Sequence, residues 1–373
     1  MKTIYLDNAA TTSIRQEVID EMVQVMRLDF GNPSSTHSVG RSAKAIIETA
    51  RKSIASLLNC NAQEILFTSS ATEATNWILR SIVKDHKVKR IITSKIEHHA
   101  TLYTIQALQA EYDILVDYVP VLNDGSLNYE SFSELVSQDI STLVSIMHVN
   151  NETGVVNDIE KIGMMCRQNS VLFHCDTVQS IGKTAFNLKE LPVDFLVASA
   201  HKFHGPKGIG FAFIRKGLVL QPIIYGGEQE KGWRAGTEAV HQIAGLSKSL
   251  QLSYEHIEIE RNYILELKNY CWSQLQNAFP AIKKNGNATF YNILNVMLPF
   301  SAEKTAIILF YMDMKGVAVS RGSACQSGSN KPSHVLGEML SDEELTKPSL
   351  RISFSHNNTK ADIDYLIKVL QEI

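Results

Sequence analysis

Seven short β-prone runs set the strongest limit on how this 373-residue chain can fold. They read EILFTS, RIITS, ILVDYVPV, TLVSIMHV, VLFHCD, DFLVASA and GIGFAFI, and several are separated by helical segments such as TEATNWILRSIV and IEKIGMMCRQ. Strand-helix alternation of this kind argues for a mainly parallel sheet covered by helices. Two earlier segments read as core-facing helices. EVIDEMVQVM places Val18, Met22, Val23 and Met26 on one face, and SAKAIIETARKSIASLL does the same with Ala43, Ile46, Ile47, Ala50, Ile54 and Leu58. A long amphipathic stretch from about Gln242 to Ala278 then leads into a region that mixes strands with helices to the end of the chain. The expected fold class is α/β: a large domain over residues 16–257 with a mainly parallel sheet flanked by helices, and a smaller α+β domain built from 1–15 and 258–373.

The length exceeds what one core usually supports, which agrees with two domains. Hydrophobic residues at 44% and charged residues at 20% are those of an ordinary globular protein. A formal charge of −3 gives no electrostatic footprint for nucleic acid. MKTIYLDNAATT has no long apolar segment of the signal-peptide kind, and no later apolar run approaches the ~20 residues of a membrane span. A cytoplasmic protein without direct membrane or nucleic-acid binding is expected. The five cysteines are widely spaced and form no C-x-x-C, so neither a disulfide framework nor a metal site is expected.

Ligands of such sheets gather at the carboxyl ends of the strands, so the polar residues there carry the functional information. After EILF comes TSSATEATN, where Thr72 and Glu73 open a helix whose free N–H groups suit a phosphate, or serve as simple caps. After RIITS come His98 and His99; an imidazole there can stack on a ring or be structural, and adjacent histidines do not easily share a metal. After VSIMHV, NNETG offers the amide of Asn151. VLFHCDTVQS ends a strand with Asp176, followed by Gln179; a carboxylate there needs a compensating cation or donors, or else caps the next helix.

The last of these ends, LVASAHKFHGPKG, stops an apolar run at Lys202. Lysine is among the residues least often buried. A lysine, an aspartate, a histidine and a helix start on one sheet edge have one economical explanation, a Schiff base to pyridoxal phosphate. A partly desolvated lysine becomes nucleophilic, and an aspartate keeps the pyridine nitrogen protonated.

With these residues collected, the sequence resembles the cysteine desulfurases of the NifS/IscS type, within the class V pyridoxal-phosphate enzymes of fold type I. The motifs run through nearly the whole chain: YLDNAATT, GNPSSTHSVGR, SSATEATN, EHHA, HVNNETGVV, HCDTVQS, SAHKFHGPKGIG, WRAGTEAVHQIAG, SRGSACQSGS and LRISFS. The resemblance implies that Lys202 holds the cofactor, Asp176 pairs with its ring nitrogen, His98 stacks on the ring and Gln179 meets its phenolic oxygen. Thr72, Glu73, Ser199 and His201 fall among the cofactor-binding residues, joined by Thr237 from the neighbouring subunit of a homodimer. Asn151 and Arg351 are implied to hold the substrate, L-cysteine, with Arg351 offering its carboxylate two prongs. Cys325 would take the sulfur as a persulfide, leaving L-alanine, and pass it to an acceptor protein in iron-sulfur cluster or thio-cofactor biosynthesis. His98 is also a candidate proton partner for that thiol.

Cys325 stands apart from the other cysteines because it lies among Gly and Ser, as an accessible nucleophile should. Cys166, Cys175 and Cys271 lie in helix or strand patterns and are expected to be buried, while Cys60 sits in a polar turn. Two departures bear on the acceptor. Lys331 stands where the family commonly has an acidic residue before Pro-Ser, and the chain ends about two helical turns after DIDYL, whereas housekeeping iron-sulfur members have a longer docking tail. Other acceptors therefore stay open. An aminotransferase would use Lys202, Asp176 and the phosphate cradle equally well, a selenocysteine lyase differs only in preference, and a non-catalytic scaffold would have no reason to keep Lys202 opposite Asp176.

Overall fold

The computed structural model describes residues 3–322 and 333–373. In chain order its elements are β1 (Ile4–Tyr5), α1 (Gln16–Leu28), α2 (Ser38–Leu57), β2 (Ile65–Thr68), α3 (Ala71–Asp85), β3 (Arg90–Ser94), α4 (His99–Tyr112), β4 (Leu115–Val119), α5 (Tyr129–Val136) and β5 (Thr142–Met147). There follow α6 (Ile159–Gln168), β6 (Leu172–Asp176), β7 (Phe195–Ser199), β8 (Gly210–Ile214), α7 (Val240–Glu255), α8 (Ile257–Ala278), β9 (Lys283–Lys284) and β10 (Ile293–Met297). The last are α9 (Lys304–Met314), β11 (Val317–Ala318), α10 (His334–Gly337), α11 (Asp342–Thr346), β12 (Ser349–Ser353) and α12 (Lys360–Gln371).

All seven apolar runs become neighbours in one sheet of order β2-β8-β7-β6-β5-β3-β4. From β4 through β3, β5 and β6 to β7 the pairing is parallel. β8 lies antiparallel to both β7 and β2. Its reversal follows from the connection: the turn from Ala200 to Ile209 is too short for the helical crossover that a parallel neighbour requires. Two reversals restore the direction of β2, so its carboxyl end opens on the same edge as those of the parallel strands.

Both faces of the sheet are covered. Phe211 and Phe213 of β8 point into a core shared with Ile47 and Ile54 of α2, Phe132 of α5, Ile162 of α6 and Leu246 of α7. Ala212 and Ile214 point the other way, toward Trp77 and Ile82 of α3 and Ile105 of α4. A strand buried on both faces reads as a continuous apolar run because neither set of alternate residues meets water.

The stripe expected on α1 is rotated. Val18 and Val25 are its buried residues, and Met26 is 48% exposed. α1 packs against α7 at Gly245, where a Cβ would come within 2.7 Å of Met22. This close approach turns the helix toward its Val18–Val25 line. The stretch from Gln242 to Ala278 is also two helices rather than one, broken at His256. α7 serves the core under the large sheet, whereas Ile264, Leu267 and Cys271 of α8 join a separate apolar cluster with Leu294, Val296, Leu350, Ile352, Ile363 and Leu366.

That second cluster is built on the antiparallel sheet β12-β10-β9. Leu6 belongs to it too, because β1 pairs with β11. The segment that follows β1 then crosses to the large sheet, where the Thr12 N–H donates to the His201 carbonyl at 2.9 Å and Thr12 Oγ1 accepts from the His204 N–H at 2.8 Å. Among the described residues no helix is long and apolar enough to cross a membrane.

Candidate active site

The carboxyl ends of β5, β6 and β7 and the start of α3 surround a cavity of about 240 Å³. Thr72, His98, Asn151, Asp176, Gln179, Ser199, His201, Lys202 and Arg351 all line it.

Lys202 ends a short 3-10 turn directly after β7. Its Nζ donates to the carbonyls of Ala9 at 2.7 Å and Ala10 at 2.8 Å, so the crossing N-terminal segment holds the amine at the cavity wall. Asp176 ends β6, the strand beside β7. Burial raises its carboxyl above the ordinary range, opposed by the Val178 N–H that donates to Oδ1 at 3.0 Å and by the charge of Lys202. Such a carboxylate favours a cationic partner.

His98 caps α4. Its Nδ1 accepts the Ala100 N–H at 3.1 Å, which assigns the remaining ring proton to Nε2. Burial, with the charges of Lys202 and His334, pushes it down to about 4, so the ring is neutral at pH 7. His99 instead stacks on Tyr103 at 4.8 Å and contacts the His334 ring at 4.5 Å.

At the start of α3 the first N–H groups meet short hydroxyl side chains. The Ala71 N–H donates to Ser199 Oγ at 2.8 Å and the Glu73 N–H to Ser70 Oγ at 3.3 Å, with Thr72 between them at the cavity. The positive end of the helix and these hydroxyls favour an anion. His201 hydrogen-bonds Thr11 Oγ1 at 3.2 Å and is pushed down to about 4 by burial and by the charges of Lys202, Lys207 and Lys183.

Arg351 enters from the central part of β12 and is 1% exposed. Its Nη1 donates to the Asn151 carbonyl and its Nη2 to Asp7 Oδ1, each at 2.7 Å, and its Nε has no partner among the described residues. The neighbouring Asn150 is structural: its Nδ2 donates to the Ile96 carbonyl, and its Oδ1 accepts the N–H groups of Glu152 and Thr153.

Glu73 and Thr237 lie away from this cavity. Glu73 does not line the cavity; its carboxylate is taken by Arg234, at 2.8 and 3.2 Å, and by the Ser69 N–H at 2.8 Å. An acidic side chain at N3 turns back along its own helix start, and Arg234 fixes it there. Thr237 lines a second cavity of about 160 Å³ with Thr68, Ser69 and Arg234. Cys325 lies outside the described residues, as does Lys331. Cys166, Cys175 and Cys271 are buried, and burial raises all three thiols. Burial with the charge of Glu64 pushes Cys60 up to about 12, which makes it a poor nucleophile. Sequence reasoning missed Ala9 and Ala10, which act through main-chain carbonyls, and Asp7, whose motif YLDNAATT was the available signal.

A lysine amine, a buried carboxylate, a neutral ring and an anion cradle around one cavity can hold a flat, dipolar molecule, and Arg351 can meet a carboxylate beside it. The aminotransferase class-V family model matches residues 4–366. The chain belongs to the class-V aminotransferase family. A cysteine desulfurase IscS of Clostridium botulinum (strain Kyoto / Type A2) is 39% identical over 376 residues, spanning 100% of this chain and 94% of that relative. A solved NifS-like protein superposes with a TM-score of 0.91 at 35% identity, covering 99% of this chain and 98% of the other. SspA in complex with cysteine superposes with a TM-score of 0.82 at 30% identity, covering 95% and 99%. Identity at this level over the full length places the chain among the cysteine desulfurases of the NifS/IscS type. These are pyridoxal-phosphate enzymes.

Proposed function

We propose that this cysteine desulfurase binds pyridoxal phosphate in the 240 Å³ cavity and converts L-cysteine to L-alanine, with the sulfur held as a persulfide on Cys325. The observation that carries the proposal is the sharing of one cavity wall by Lys202, Asp176 and Arg351. The residues fit the cofactor. Lys202 would hold its aldehyde carbon, Asp176 its protonated ring nitrogen, His98 its ring face and Gln179 its phenolic oxygen, while Thr72, Ser199 and His201 would hold its phosphate. When bound, the cofactor supplies an electron sink that weakens the Cα–H and Cβ–S bonds of an attached amino acid.

The chain's own residues do the rest. Arg351 and Asn151 bind and orient the substrate carboxylate. Lys202 Nζ would take the proton from Cα, and the neutral His98 holds its proton at Nε2 within the same wall. Cys325 Sγ, as the thiolate, attacks the substrate sulfur: one S–S bond forms, the Cβ–S bond breaks, its electron pair and a proton end on Cβ as the methyl group of L-alanine, and Cys325 keeps the sulfur as the persulfide. The persulfide then passes to an acceptor protein in iron-sulfur cluster or thio-cofactor biosynthesis.

The position of Thr237 in a second cavity supports a homodimer in which it completes the phosphate site of the partner. The division at residue 257 separates the Lys202 side of the site from the Arg351 side, and the small domain is proposed to carry Cys325 as well. The deciding experiment supplies L-cysteine and a reductant to cofactor-loaded wild type and to Cys325→Ala, and quantifies alanine and sulfide together. Equal yields from the wild type and neither from the variant support the proposal. Consumption of cysteine only with a keto-acid acceptor present would replace it with transamination.

A further inference from the structure

Lys183 is 8% exposed, lies outside the cavity wall and has no part in the chemistry above. A buried ammonium is costly unless something compensates it. Its one hydrogen-bond acceptor among the described residues is Gln179 Oε1, at 3.4 Å. The two side chains meet because residues 177–184 form overlapping turns: Ile181 N–H donates to the Thr177 carbonyl and Thr184 N–H to the Ser180 carbonyl. Residues four apart then share a side. Gly182 permits the second turn, with φ of +75° and no room for a Cβ, which would lie 2.6 Å from Phe203 Cβ.

A glutamine amide can face either way, and its neighbours decide which. On one side of Gln179 is Lys183, a donor. On the other is the Ala9 carbonyl, an acceptor, which takes Nε2–H at 2.9 Å and also takes Lys202 Nζ at 2.7 Å. Reversing the amide would set Oε1 against the Ala9 oxygen. In the observed orientation the second Nε2–H has no acceptor among the described residues, although Gln179 lines the cavity. We propose that Lys183 is a positioning residue: it fixes the Gln179 amide so that an N–H, not a carbonyl oxygen, is presented to an oxygen anion of the cofactor. This rests on the reading that Gln179 meets the phenolic oxygen of pyridoxal phosphate. Burial, with the charge of Lys202, pushes Lys183 down to about 7, and its neutral amine still keeps N–H donors for Oε1.

The test is a double-mutant cycle with Lys183→Met, Gln179→Ala and the double variant, each loaded with pyridoxal phosphate. The readouts are the absorbance titration of the bound chromophore against pH and the cofactor dissociation constant. Each single variant is expected to raise the pH at which the chromophore loses its proton. Lys183→Met should do so by about threefold in the ionisation constant, the scale of one net hydrogen bond, and the double variant should match Gln179→Ala alone. Met is close to Lys in length and removes a buried charge, so the melting temperature should hold. Lys183→Gln, which keeps an N–H donor, should restore the wild-type titration and covers the case in which the Met variant fails to fold. Additive shifts, or a Lys183→Met titration identical to wild type while Gln179→Ala moves it, would overturn the role of Lys183. A chromophore unmoved by Gln179→Ala would overturn the reading of Gln179, and the role of Lys183 with it.

Discussion

Arg351→Lys isolates what a two-pronged cation does that a point charge cannot. In the structure the guanidinium spans two fixed acceptors, the Asn151 carbonyl and Asp7 Oδ1, each at 2.7 Å, from a strand residue that is 1% exposed. A lysine at 351 can satisfy one of them, but its single Nζ cannot occupy both Nη positions. One hydrogen bond to a charged group is lost, which costs about 2 kcal/mol of folding stability. In the proposed role of Arg351, the substrate carboxylate loses one of its two prongs as well. The same magnitude, about 1.5–3 kcal/mol, converts to a fall of roughly 10- to 150-fold in kcat/KM. Because the carboxylate is held before and during the chemistry, the loss should appear in KM, with kcat nearly kept. Steady-state alanine formation across a cysteine series, with a thermal melt of the same preparation, measures both. An unchanged KM with a large fall in kcat would refute the reasoning, since it would mean that Arg351 acts on the reacting atoms and not on the carboxylate.

Three further outcomes are expected. Glu230→Gln strips the charge that faces Arg51 across 2.7 and 2.8 Å in a pair whose side chains are 2% and 4% exposed, so denaturant melts should show a loss of about 3 kcal/mol; a loss under 1 kcal/mol would contradict it. Burial opposes ionisation of Glu260, but His356 at 3.5 Å and Arg15 at 2.5 Å overcome it and bring its carboxyl from 4.5 to about 2. A pKa lower in the folded state stabilises above the unfolded value, so Glu260→Gln should be less stable at pH 7 and the gap to wild type should close as pH falls from 4.5 toward 2; a gap independent of pH would argue against the pairing. His98→Phe keeps a flat ring but removes Nε2–H: cofactor retention should survive while kcat falls by about 10²- to 10⁴-fold, and an undiminished kcat would reduce His98 to stacking alone.

The elements that position the site were legible because each is local. An apolar run with a polar residue at its carboxyl end is visible in one dimension, and Lys202, Asp176 and Asn151, which line one cavity, are each visible that way. The reversal of β8 was hidden in the length of a connection, not in the strand itself. For Glu73 a helix start looks the same whether its carboxylate faces outward or, as here, turns back to an arginine more than 150 residues away. Met26 misled because helical spacing gives the stripe but not its rotation, which Gly245 decides on another helix. Ala9 and Ala10 could not be read at all, since their contribution is made by carbonyl groups common to every residue. Lys183 was invisible for a related reason: its meaning depends on which way a neighbouring amide faces.

The crossing N-terminal segment also fixes when the site can exist during synthesis. Its carbonyls at Ala9 and Ala10 wait for Lys202, Asp7 waits for Arg351, and the Leu6 carbonyl waits for the Ser353 N–H. Leu6 and Asp7 are thus made long before their partners, and the large sheet can be complete while the Arg351 wall of its cavity is still unsynthesised. A nascent chain stalled before β12 should fold its seven-stranded sheet yet leave Asp7 without its arginine. Loading with cofactor and substrate would then be a property of the finished chain.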